Sequence, residues 1–190
     1  LAQTFNVDET GAFLTSLDLY FANKDENEKV TVEIRTVELG TPTDQLVEDY
    51  ARVTLDPSQV NTSTDGSVAT RVTFPSPIYL QPEVEYAIVI LAPSSDNYET
   101  WIARMGEKTV NTTTLPDAES VIVTKQYIGG SLFKSQNGTI WTANQFEDLK
   151  FKLYKANFTS TEGTAYFYNP TLNTDNDSSK IITDGVRTLP

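Results

Sequence analysis

The chain has 190 residues, with 14 Lys plus Arg against 26 Asp plus Glu and a formal net charge of -12. That balance repels phosphate backbones and anionic lipid, so it points away from nucleic acid and membrane surfaces as partners. With no Cys and no His, the chain lacks disulfides, thiol nucleophiles, imidazole acid–base groups and the ligand sets of most zinc, haem and iron–sulfur sites. No cofactor is implied.

The dominant sequence pattern has period two. Phe13, Leu17, Leu19 and Phe21 fall on one face of a first strand, with Ser16, Asp18 and Tyr20 opposite. Residues 42–50 read as one or two helical turns with Thr43 or Asp44 as the cap. Before them, Val30, Val32 and Ile34 alternate with Thr31, Glu33 and Arg35; after them come Ala51, Val53 and Leu55. Val68, Thr70, Val72 and Phe74 follow the turn signal Thr64-Asp65-Gly66-Ser67. Residues 86–91 are continuously apolar, the mark of a central strand covered on both faces. Weaker strands are expected at 100–104, 121–125 and 132–134, and a clear one where Leu149, Phe151 and Leu153 alternate with Lys150, Lys152 and Tyr154. Short strands separated by turns at this spacing predict an all-β fold, an antiparallel β-sandwich of jelly-roll type.

Residues 1–155 read as one sandwich module. From 156 the texture turns polar, and 156–190 reads as a trailing strand at 165–168 plus a connector towards a following domain. The chain lacks an initiator Met and a signal peptide, so it reads as a segment of a longer parent.

Carboxylates are the remaining acid–base groups, and Asp/Glu pairs run glycosidases. Asp25, Glu26 and Glu28 sit between two strands, where a solvated turn is the ordinary reading; Glu48 with Asp49 and Glu147 with Asp148 flank strand starts. The alternating oxygen side chains at 173–179 suit a hard cation, but Ser178 and Asp184 stand where a calcium loop needs Gly and Glu. Lys125, Lys134, Lys150, Lys152 and Lys155 fit an exposed strand face or a guarded edge. Gly129-Gly130 reads as a turn.

Tyr98, Trp101 and Trp141 are the candidate ligand-binding residues. Ser95-Asp96-Asn97-Tyr98 and Asn137-Gly138-Thr139-Ile140-Trp141 each set an aromatic beside hydrogen-bonding groups near a loop, as a sugar-stacking platform requires. Core packing is the commoner place for so large an apolar side chain. An exposed aromatic row would favour sugar binding, whereas burial would favour a structural role.

Several stretches, in order, carry a family resemblance. They are Leu1-Ala2-Gln3-Thr4-Phe5, Gly11-Ala12-Phe13-Leu14-Thr15-Ser16-Leu17, Val32-Glu33-Ile34-Arg35, Tyr79-Leu80-Gln81-Pro82, Ser95-Asp96-Asn97-Tyr98, Leu132-Phe133-Lys134-Ser135-Gln136-Asn137-Gly138 and Glu147-Asp148-Leu149-Lys150-Phe151. Over roughly 1–155 the chain resembles the repeated β-rich module of large virion structural proteins (tail, baseplate or fibre-associated) of contractile-tailed, T-even-like phages. The resemblance implies a module without enzymatic activity, placed in an extracellular particle, with other virion proteins or copies of itself as partners. It supplies no catalytic residues. A carbohydrate-binding sandwich recognising host surface polysaccharide is the alternative, and a glycoside hydrolase or lyase is the third reading, because sandwich folds host all three.

Overall fold

The computed structural model describes residues 1–110, 116, 119–160 and 162–164. The chain divides into two compact units, Leu1–Ala156 and Asn157–Pro190. In the second, the Ser160 hydroxyl donates to the Glu162 carbonyl at 2.8 Å and accepts its N–H. The strand expected at 165–168 and the polar run at 173–179 lie outside the described residues.

The first unit is built of strands: β1 (Ala2–Asn6), β2 (Ala12–Leu19), β3 (Phe21–Asn23), β4 (Val30–Glu38), β5 (Thr41–Leu46), β6 (Arg52–Leu55), β7 (Thr70–Leu80), β8 (Glu85–Leu91), β9 (Glu99–Thr100), β10 (Ile102–Arg104), β11 (Leu132–Lys134), β12 (Thr142–Asn144), β13 (Glu147–Leu149) and β14 (Phe151–Lys155). One 3-10 turn, Pro57–Gln59, follows β6. A seven-stranded antiparallel sheet runs β12-β11-β1-β8-β4-β5, with β6 also on β4. A three-stranded antiparallel sheet runs β14-β2-β7. β1 pairs with β8 and β2 with β7, the nested pairing of a rolled-up hairpin.

The fold is an all-β sandwich. Phe5, Ile34 and Ile88 from the larger sheet share one buried cluster with Leu17, Val72 and Ile78 from the smaller. The period-two reading locates most of this core. Val30, Val32 and Ile34 are fully buried, and the run at 86–91 is indeed covered on both sides: Ile88 faces the core while Ala87 and Val89 join a second cluster with Ala2 and Phe133.

Phe13 departs from its expected place. A bulge shifts the register of β2 against β7 between Leu14 and Ser16. An extra residue reverses which side chains face inward, so Leu14 enters the core and Phe13 emerges to stack near Tyr79, ring centroids 4.9 Å apart. Residues 42–50 also depart from expectation. They give strand β5 up to Leu46 and then a turn rather than helix, because the open edge of β4 offers a hydrogen-bond ladder and Thr36 bonds Thr43, Oγ1 to Oγ1, at 2.6 Å. Of the strand expected at 121–125 there is an isolated bridge, Ile122 to Lys108.

Tyr20, Trp101 and Lys150 mark one level at which three strands break. They separate β2 from β3, β9 from β10, and β13 from β14. The Trp101 N–H donates to the Tyr20 carbonyl and the Lys150 N–H donates to the Trp101 carbonyl, each at 2.9 Å. The kink carries the sheet from one short pairing into the next.

The edges of the smaller sheet are guarded. β7 carries Pro75 and Pro77, which have no N–H to offer an incoming strand, and β14 carries Lys152 and Lys155. Gly130 is more than a turn residue: a Cβ there would lie 1.9 Å from the Thr4 carbonyl oxygen, where β1 is bonded to Ser131.

Candidate functional site

The outer face of the seven-stranded sheet is where the sequence leaves chemistry unspent. Alternation along β4 sends Val32 and Ile34 inward, and Glu33 and Arg35 outward. These two outward residues are buried nonetheless, with side chains 2% and 8% exposed. The Arg35 Nε donates to Glu33 Oε2 at 2.6 Å, and the Arg52 Nε donates to Glu33 Oε1 at 2.5 Å. The Arg35 Nη1 reaches the Thr43 carbonyl, Asp44 Oδ1 and the Gly138 carbonyl at 3.1–3.2 Å. One guanidinium therefore ties β4 to β5 and to the β11–β12 connection. A charge-assisted network of this kind is costly to break because each partner is already out of water.

The β11–β12 connection folds back over this face. The Ser135 Oγ accepts the N–H groups of Asn137 and Gly138, while Asn137 Oδ1 accepts those of Thr139 and Ile140. Gly138, at φ +73°, sits on Leu91: a Cβ would meet its side chain at 3.1 Å.

Asp25 fixes a second wall. Its Oδ1 accepts the N–H groups of Asn27 and Glu28, and its Oδ2 accepts the Ser95 hydroxyl at 2.7 Å and the Asn97 amide at 2.8 Å. Four donors hold its carboxyl well below the usual carboxylate range, the Glu28 N–H contributing most. Because the folded state depresses this pKa, the contribution is present above the unfolded value of about 4 and fades as pH falls. Asp25→Ala is expected to lower the urea midpoint at neutral pH, with the gap from the parent closing as the titration moves into acid. A gap that stays constant with pH would contradict this role for the carboxylate.

These segments line a cleft of about 950 Å³. Arg35 and Asp44 line it together with Ile90, Leu91 and Ala92 at the end of β8. Tyr98 and residues 135–139 line it as well.

The three aromatics separate. Tyr98 lines the cleft, packs edge-on against Phe21 with centroids 6.1 Å apart, and donates its hydroxyl to the Glu28 carbonyl. Burial, reinforced by the charges of Asp25 and Glu28, pushes its phenol upward. Trp101 sits at the strand kink, donates Nε1–H to the Ser63 carbonyl at 2.9 Å, and has Gly66 (φ +68°) against its indole. Trp141 packs on the Phe133 side of the outer cluster, its Nε1 buried and without a hydrogen-bond partner among the described residues. All three are half-buried, and Tyr98 is the one that faces the cleft.

Other carboxylates have structural work. Glu147 and Asp148, which read as bland flanking residues, are buried in β13. Glu147 pairs with Lys134 and Arg104. Asp148 accepts the Tyr127 N–H and the Gln3 amide, and burial raises its pKa. Asp18 receives the Arg71 guanidinium and the Tyr154 hydroxyl, so its pKa is lowered chiefly by Arg71. Among the described residues no three carboxylates gather as a metal site.

In sequence, Arg35 has no assigned site role and Asp25 reads only as part of a solvated turn. Opposite charges two apart on a strand of buried neighbours, Glu33 and Arg35, were the available signal for the first. Asp25 carries no such signal, because its partners lie about seventy residues away. The chain matches no protein-family model, no curated protein and no solved structure.

Proposed function

We propose that this chain is a non-enzymatic structural and interaction module of a phage virion, carried by a tail, baseplate or fibre-associated protein and working in the extracellular particle. Its partners on this reading are other virion proteins or copies of itself. The family resemblance over roughly 1–155 supports it, and one structural observation carries it further: Trp101 and the buried carboxylates are spent on holding the sandwich together. Trp101 holds the turn at Ser63, and Asp18, Glu33, Glu147 and Asp148 are each engaged by a named partner within the scaffold.

Guarded edges on the smaller sheet and a net charge of -12 suit a part that must stay soluble and resist edge-to-edge pairing while crowded by copies. The exposed Phe13–Tyr79 pair, 39% and 44% accessible, offers apolar area on the outer face of the smaller sheet. Mass spectrometry of gradient-purified particles tests the reading. Peptides of this chain should band with intact virions at constant stoichiometry to the tail proteins. Recovery only from the soluble fraction would overturn it.

A further inference from the structure

We infer that the cleft beside Arg35 is a binding site for a neutral hexose oligosaccharide. This rests on the cleft and not on virion membership, so the two readings fail separately.

The first ground is shape and surface. A cleft of about 950 Å³ lies within the range of sites that enclose a drug-sized ligand. Its lining combines apolar residues, Ile90 and Leu91 with Ala92, suited to the C–H groups of a sugar, with polar residues at 95–96 and 135–139 suited to its hydroxyls. The two loop segments that set an aromatic beside hydrogen-bonding groups, 95–98 and 137–141, are distant in sequence. The fold brings Tyr98 and residues 137–139 to the same cleft.

The second ground is unused hydrogen-bonding capacity. Asp96, Gln136 and the Thr139 hydroxyl line the cleft and make no side-chain bond to other described residues. Arg35 is stronger evidence, because its side chain is more than nine-tenths buried. Its Nε and Nη1 are engaged, while Nη2 makes no hydrogen bond to another described residue. Arg35 and Asp44 both line the cleft, so a donor and an acceptor stand side by side there. A paired donor and acceptor at fixed spacing is what adjacent sugar hydroxyls bind.

The third ground is rigidity. Asp25 clamps Ser95 and Asn97, Ser135 and Asn137 close their own turn, and Arg35 holds the Gly138 carbonyl. Walls fixed before binding spare the ligand the cost of ordering them. Charge then chooses among sugars. The basic groups at the cleft are Arg35, already paired with Glu33 and Asp44, and the Leu1 amino group, whose pKa burial lowers to about 6; with Asp44 and Asp96 beside them in a chain of net charge -12, a uronate or sialate is disfavoured.

The test is a ¹⁵N-labelled titration of the 190-residue chain with maltohexaose, cellohexaose and mannohexaose, with oligogalacturonate as the anionic probe. At least one neutral probe should give saturable shifts concentrated in the amides of 95–98 and 135–139. Combining Asp96→Ala with Gln136→Ala should raise its Kd about tenfold or more. Tyr79→Ala, on the outer face of the other sheet, should bind as the parent does. Absence of cleft shifts with every neutral probe, undiminished binding by the double variant, or binding of oligogalacturonate alone would each overturn the proposal.

Discussion

Trp101→Ala will lower the unfolding free energy by about 3 kcal/mol, the low end of the range for removing a large aromatic from a packed site. The indole is only half-buried, yet it ties the Ser63–Gly66 turn to the level at which β9 gives way to β10. Its loss opens space against Gly66 and strands the Ser63 carbonyl that now accepts Nε1–H at 2.9 Å. The Lys150 ammonium, which donates to the Gly66 carbonyl and lies 4.6 Å from the Tyr20 ring centroid, loses the turn that orders it. Trp101→Phe keeps most of the packing and forfeits the N–H, so about 1 kcal/mol is expected there. Urea unfolding followed by circular dichroism separates the two. A Trp101→Ala variant within 0.5 kcal/mol of the parent, about what surface changes cost, would mean that the indole is a surface platform.

Arg35→Met will cost about 3 kcal/mol, because it removes one partner of a desolvated pair. Glu33, 2% exposed, would keep only Arg52, whose own side chain is 54% exposed. The Thr43 and Gly138 carbonyls would lose their shared donor, and the β11–β12 connection its tie to the sheet. Hydrogen exchange at residues 135–139 should therefore rise together with the loss of stability. Arg52→Met is the contrast, an exposed arm of the same network, worth about 0.5 kcal/mol. Equal costs for the two variants would show that burial does not govern this network.

Legibility in the sequence followed how completely a strand buries one face. β4 and β8 were readable because Val30, Val32 and Ile34 alternate without interruption and residues 86–91 are apolar throughout. β1 was not, because its inward positions pair Phe5 with Gln3, a fully buried amide that accepts the Leu149 N–H. A polar side chain satisfied by a residue 146 positions away carries no local signal. β5 reads as helix from sequence because an edge strand rich in Pro, Thr, Asp and Gln has the composition of a capped turn; what decides it is the neighbouring ladder. Alternation puts Phe13 on the inner face because a bulge leaves no mark in it.

The candidate site was legible by halves. The loops around Tyr98 and Trp141 were marked as polar segments carrying an aromatic, and Tyr98 does line the cleft. Trp101 and Trp141 spend themselves on packing instead. Arg35 escaped notice because its role depends on three segments meeting, β4, β5 and the loop at Gly138, which no window of sequence contains.

Immunogold electron microscopy, with antibody raised against the Leu1–Ala156 unit, tests the central claim most directly when applied to particles from a phage lysate. The virion reading predicts gold at one fixed position on the tail, baseplate or fibres of intact particles. Intact tailed particles without label, with the antigen free in the lysate, would contradict it.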